Sequence, residues 1–172
     1  VMFDAAKMSF VGTPAQQPQS FIVWKDTPFH SLKDLQAREA IFGTTSVGTD
    51  SAVMPALLNQ LAGTKIKVIN GYTSSATILA ALERGELNGF CAWGWVPMKA
   101  MRADWIRDRK FNVLFQIGLG KHPEHAEPLI LDYAKAPEDR QLLEIFVAPQ
   151  TFARPFALPP GMAPERVAVM RK

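Results

Sequence analysis

The chain has 172 residues, which suits one domain or two small lobes and is long enough to bury a core. Hydrophobic residues make up 48% and charged residues 20%, close to the globular average, so disordered, collagen-like and coiled-coil classes are excluded. Nineteen Lys+Arg against sixteen Asp+Glu give a net charge of +3, and the basic residues are scattered rather than striped, which argues against nucleic acid as a partner and leaves small anionic ligands open.

The only cysteine, Cys91, excludes an internal disulfide and a multi-cysteine metal site. No apolar run approaches the roughly 20 residues of a membrane span, and no charged, then apolar, then small-residue leader opens the chain. The sequence starts at Val1 and stops at Arg171–Lys172 inside what reads as the first turns of a helix. It is therefore read as a piece of a longer protein.

Ser20 to Trp24 is a short β-branched and aromatic run, and Lys25-Asp-Thr-Pro28 after it signals a turn, so a strand is expected there. Ser31 caps a short helix through Leu35, with Asp34 as its capping-box partner, and a second strand follows near Ala40 to Gly43. The hydroxyl-rich loop Thr44 to Ser51 opens onto Ala56 to Ala62, whose spacing is helical and whose end is marked by Gly63 in a left-handed cap. Pro55 would remove an internal hydrogen bond from a helix starting at Asp50, so the helix is expected to begin at Pro55.

The pattern then repeats in kind. A strand at Ile66 to Ile69, a turn at Gly71 to Ser75 and a helix from Ala76 to Arg84 closed by Gly85 make a second β-turn-α unit. Gly89 to Trp93 is a third such strand, leading through Gly94-Trp95 into a helix where Pro97 suits the first turn. Phe111 to Ile117 is apolar enough to be buried on both faces. Strands alternating with helices predict a mainly parallel α/β sheet. Beyond Gly118 come a polar loop at Lys121 to Pro128, an amphipathic helix at Glu138 to Ala148, a surface crossing with five prolines from Pro149 to Pro164, and a last helix starting at Pro164.

The two hydroxyl-rich turns carry the functional signal. At the carboxyl ends of strands in an open α/β sheet they stand where ligands bind, and the unpaired N–H groups of a helix start hold a carboxylate or phosphate without a formal positive charge. The competing reading is that Thr45, Ser46, Thr49, Thr73 and Ser74 only cap helices. Trp93 and Trp95 flank Gly94 and are read either as an aromatic wall facing one cleft or as core. Cys91 is read as an inert core thiol. His122-Pro-Glu-His125 offers two imidazoles and a carboxylate, but the proline breaks helical spacing and no third ligand is suggested, so a solvated loop and no metal are expected. The phosphate, hydrolase and dinucleotide fingerprints are absent, and no acid–base pair recommends an enzyme.

Gly43-Thr-Thr-Ser-Val-Gly-Thr-Asp-Ser51, Leu58-Asn-Gln-Leu-Ala-Gly63, Val68-Ile-Asn-Gly-Tyr72 and Leu82-Glu-Arg-Gly-Glu-Leu-Asn88 stand in one order and spacing. With Trp24 to Leu35 and Arg154 to Arg166, they make the chain resemble the substrate-binding proteins of tripartite tricarboxylate transporters, the Bug family. The resemblance implies a type II periplasmic-binding-protein fold, with a small carboxylate-bearing solute held between two α/β lobes. It also implies a periplasmic location, no catalysis, no cofactor, and delivery to a transporter with two integral membrane subunits; a ligand-sensing lobe of a signalling system and an enzyme acting on a carboxylated substrate are the alternatives. The family's ligand loop falls here on Thr45, Ser46, Gly48, Thr49 and Asp50, with Tyr72, Thr73 and Ser74 as neighbours, and Trp93 and Trp95 complete the candidate site. On this reading residues 1–23 belong to a partial first lobe, 24–115 form the second lobe, and 116–172 return to the first. A homodimer would cover the apolar surface that a partial first lobe leaves bare. Two departures, Asn88 where relatives carry Asp and the Trp93-Gly-Trp95 sequence, suggest a ligand other than the common dicarboxylate.

Overall fold

Period-two burial and turn chemistry build one sheet from five of the segments. The computed structural model describes residues 4–13, 18–152 and 154–171; residues 1–3, 14–17, 153 and 172, part of the expected first lobe, lie outside them. Strands β1 (Ser9–Gly12), β2 (Gln19–Trp24), β3 (Ala40–Thr44), β4 (Ile66–Asn70), β5 (Gly89–Gly94), β6 (Phe111–Ile117) and β7 (Phe156–Leu158) alternate with helices α1 (Leu32–Ala37), α2 (Asp50–Ala62), α3 (Ser75–Glu83), α4 (Trp95–Met101), α5 (Ala103–Arg107), α6 (Pro137–Val147) and α7 (Pro164–Met170). The sheet order is β4-β3-β5-β2-β6. β3 runs parallel to β4 and β5, while β2 is antiparallel to β5 and to β6. Four strands therefore point one way and β2 alone points back, as expected of a mainly parallel sheet.

Alternation along the strands separates two cores. On one face Phe21 and Val23 of β2, Ala40 and Phe42 of β3, and Phe115 and Ile117 of β6 meet α1, α2 and α6. On the other, Ile22 of β2 and Phe90 and Trp93 of β5 meet Ile78 and Leu82 of α3, Met98 of α4 and Trp105 of α5. Helices cover both faces, the arrangement a parallel sheet needs. Gly89 stands where β5 passes between β3 and β2, and a Cβ there would collide with Ile22 O and the Phe42 ring.

The boundaries depart from expectation in three places. β2 reaches from residue 19 to 24 within the five-stranded sheet, so the expected lobe boundary at 23/24 falls inside a strand. α6, expected in the first lobe, buries Leu143 and Val147 in the same core as β2; outside this body, the β1–β7 ribbon and α7 form a small separate layer. Arg171 joins that layer by donating twice to Phe10 O, at 3.0 and 2.7 Å. Helix α2 begins at Asp50, with Pro55 inside it. The missing Pro55 N–H costs one bond near the helix start, and burial of Pro55 beside Met54, Leu57 and Leu58 offsets it.

Trp93 owes its direction to a bulge. Ser20 pairs with Trp93 and Ile22 with Phe90, so Phe21 faces two residues, Cys91 and Ala92. Ala92 takes φ +63°, a left-handed conformation uncommon outside glycine. The extra residue puts Phe90 and Trp93, three apart, on one face and Cys91 on the other. Cys91 is fully buried, and desolvation holds its thiol well above the ordinary range. No helix among the described residues is long and apolar enough to cross a membrane.

Candidate functional site

Because β3, β4, β5 and β6 share a direction, their carboxyl ends and the start of β2 meet at one edge. Gln19 pairs with both Gly94 and Ile117 there. The edge thus gathers the turn before α2, the turn before α3, the end of β5 and the loop after β6.

At the first turn, three hydroxyls close on one another: Thr44 Oγ1 to Thr49 Oγ1 at 2.8 Å, Thr44 Oγ1 to Ser51 Oγ at 2.8 Å, and Thr49 Oγ1 to Ser51 Oγ at 2.9 Å. Thr49 also donates to Ser46 O at 2.8 Å. Thr44 is completely buried. Thr49 is the N-cap residue of α2, yet its hydroxyl turns into this triangle and no side chain caps the helix. The free donors of this turn are therefore backbone N–H groups rather than the hydroxyls the sequence emphasises. Ser46 and Gly48 are exposed and Thr45 half-buried; Gly48 N–H donates to Ser46 Oγ at 3.4 Å. Asp50 opens α2, and its Oδ2 accepts from Gln19 Nε2 at 3.2 Å and Gln150 Nε2 at 2.9 Å.

The second turn is closed upon itself. Ser74 Oγ accepts the Thr77 N–H at 3.3 Å, Thr77 Oγ1 accepts the Ser74 N–H at 3.2 Å, and a capping box results. Thr73 Oγ1 lies 3.5 Å from Thr77 Oγ1, and Tyr72 packs on the core. Of this turn only Ser75 reaches the cavity described next.

A cavity of about 320 Å³ lies at the edge, lined among others by Gln19, Ser75, Trp93, Met101, Gln150 and Arg154. Arg154 is exposed, holds φ +56° and makes no ion pair among the described residues. Backbone strain of this kind collects at binding sites. Gln19 Oε1 is buried without a hydrogen-bond partner. Trp93, 4% exposed, serves both as core and as cavity wall.

Trp95 does not join it. Its indole Nε1 donates to Glu124 Oε2 at 2.7 Å and its ring meets His125 edge-on at 4.0 Å, so it lines a different cavity with His125 and Glu127. The two tryptophans therefore do not face one cleft. Lys99 and then Trp95 donate to Glu124 and lower its carboxyl below the usual range.

The loop after β6 is exposed at Lys121, Pro123, Glu124 and Ala126, as expected of a solvated loop, but its backbone is anchored to the sheet. Gln116, 1% exposed, donates to Glu127 O at 2.8 Å and His125 O at 3.3 Å and accepts the His122 N–H at 2.7 Å. This one amide folds residues 122–127 onto the sheet and leaves the His125 side chain 6% exposed. His125 Nδ1 stands 3.3 Å from Glu127 Oε2, and that oxygen is buried with no hydrogen-bond partner. Desolvation lowers the His125 imidazole below its ordinary value. No group of three metal-ligating side chains occurs among the described residues. Asn88 lies at the opposite end of the sheet, where its Oδ1 accepts the Ile41 N–H at 2.7 Å and its N–H donates to Ile41 O at 2.7 Å. That departure from the family pattern extends the β3–β5 ladder and carries no information about the ligand.

Gln19, Gln150 and Arg154 escape sequence reasoning, whereas Ser75 ends the second hydroxyl-rich turn but is not among the candidate site residues. Gln150 stands 100 residues from Asp50, and Gln19 simply precedes an apolar run. Arg154 had a signal, since it opens the Arg-Pro-Phe stretch of the resemblance.

No family model matches the chain, and no curated protein matches it. Solved structures do. Rpa4515 of R. palustris with adipate superposes with TM-score 0.61 at 18% identity, covering 98% of this chain and 67% of that one. A TctC solute-binding protein from Polaromonas gives 0.61 at 13% identity over 99% and 67%, and MatC from Rhodopseudomonas palustris with bound malate gives 0.58 at 15% over 95% and 67%. The fold is therefore that of the type II periplasmic binding proteins, and this chain spans about two-thirds of these neighbours' length.

Proposed function

We propose that this chain is an extracytoplasmic solute-binding protein of the Bug type, which captures a small organic carboxylate and delivers it to a two-subunit membrane transporter. The observation that carries this reading is Arg154, a guanidinium with no ion pair among the described residues on a strained backbone, set in a small cavity at the carboxyl edge whose Gln19 and Gln150 reach Asp50 at the uncapped start of α2. A guanidinium offers a planar pair of donors to a carboxylate, and the indole of Trp93 and the thioether of Met101 suit an apolar body. The acids named for two of the structural neighbours, adipate and malate, have this size and chemistry.

Binding is without catalysis, and the periplasm is the compartment that fits. The outer layer of β1, β7 and α7 belongs on this reading to the first lobe, which would close over the edge when ligand is bound. Isothermal titration of the full-length protein against adipate, succinate and malate tests it, with adipamide as the uncharged analogue. Saturable heat with at least one acid and none with adipamide is the expected result. Silence with every acid overturns the reading.

A further inference from the structure

A second cavity, of about 360 Å³, opens at the same edge, lined among others by Pro18, Gly120, Lys121, His122 and Gln150. It adjoins the cavity that holds Arg154. Gln150 lines both, and Pro18 and Gly118 on its wall are the chain neighbours of Gln19 and Ile117, which pair at the end of the sheet. Three kinds of donor stand free along it. His122 Nδ1 accepts the Glu124 N–H at 3.1 Å, so the neutral ring carries its hydrogen on Nε2; that nitrogen has no hydrogen-bond partner among the described residues and is not buried. The N–H groups of Leu119, Gly120 and Lys121, all exposed residues, bond to nothing among the described residues. Lys121 makes no ion pair there either. Among the described residues no Asp or Glu lines either cavity.

We propose that the loop 119–122 is a second anion subsite: the ligand taken at this edge carries two acid groups, one held by Arg154 and the other by Lys121, His122 and the loop backbone, with its carbon chain passing Gln150. This rests on the carboxylate reading above. Successive free backbone N–H groups suit an anion. The lysine ammonium, on a flexible stem, adds a charge-assisted bond without demanding a fixed geometry. The two cations stand on either side of Gln150 with no carboxylate on the walls between them, so a ligand charged at both ends meets a donor set at each. A single acid of equal length engages Arg154 and leaves the loop donors to water. The advantage of the diacid over that single acid therefore measures the second subsite alone.

The experiment titrates the full-length protein with pairs of equal length that differ in the second acid group, succinate with butyrate, adipate with hexanoate and suberate with octanoate. In at least one pair the diacid is expected to bind at least about tenfold tighter. In Lys121→Met that advantage is expected to shrink to about twofold, with the single acid bound within about twofold of the wild type. The melting temperature should stay the same, because Lys121 is exposed. His122→Phe, which removes the ring donor, gives a second measurement of the same ratio. Equal binding within all three pairs overturns the inference and leaves the carboxylate reading standing. An advantage that survives undiminished in both variants removes the loop from the site. Absence of binding by all six acids overturns both.

Discussion

The turns before α2 and α3 are alike in sequence and opposite in hydrogen bonding. Both follow a parallel strand, and both are rich in Ser and Thr. Before α3, Ser74 and Thr77 exchange bonds in a capping box, so the helix start has its own acceptors. Before α2, the hydroxyls of Thr44, Thr49 and Ser51 bond to one another and leave the helix without a side-chain cap. A hydroxyl-rich turn thus predicts a polar helix start and cannot say whether that start is closed or open. The difference lies in depth: Thr44 is buried, and its hydroxyl draws Thr49 inward, whereas Thr73 and Thr77 are near solvent.

The largest expected effect breaks the open turn. Thr44→Val keeps the shape and removes the hydroxyl shared by Thr49, Ser51 and Ser46 O, so a loss of about 2 kcal/mol, roughly 4–8 °C in melting temperature, is expected. Calorimetry checks it. A fall of under a degree would show that Thr49 and Ser51 re-pair unaided, and the triangle would then not be what keeps Thr49 from capping α2.

Arg154→Ala comes next and acts on binding rather than folding. A guanidinium bonded to a carboxylate contributes enough that affinity for the best-binding acid should drop at least about tenfold, while the melting temperature of the free protein stays put. An unchanged affinity would shift the anion back to the backbone donors of α2. Ser74→Ala sharpens the contrast from the closed side. Loss of a capping serine costs about 1 kcal/mol of stability, and because this turn is satisfied by itself, titration should return the wild-type affinity. A weakened affinity would put both turns in the site and erase the distinction.

Most of the sheet was legible because strands here are short apolar runs punctuated by Gly and Pro, and both β-turn-α units have strong stop signals at Gly63 and Gly85, each with φ near +70°. What was not legible is non-local. Nothing in the local pattern at 91–92 announces the bulge that aims Trp93 at the cavity, since it arises from pairing with β2. The start of α2 was misplaced because local propensity condemns Pro55, and tertiary burial outweighs it. At the site, Thr45 to Asp50 were readable from position alone, but the glutamines that grip Asp50 come from 31 residues before it and 100 after.

The loop at 121–128 belongs with the closed turn, and its histidine offers the smallest and most specific check. Gln116 fastens the loop, so His125 is packed against Trp95 instead of being hydrated. Burial disfavours the imidazolium more than Glu127 favours it, so the folded-state pKa lies below the ordinary 6.5. Between those two values the unfolded chain binds a proton that the folded chain refuses, and stability therefore rises with pH. The contribution is complete above the unfolded value and is lost as pH falls through the folded one. Melting temperature should decline from pH 7 to pH 5 more steeply in the wild type than in His125→Gln, which keeps the polarity and removes the titration. Parallel curves would mean that His125 is solvated after all, and the loop would then join the open side of the edge.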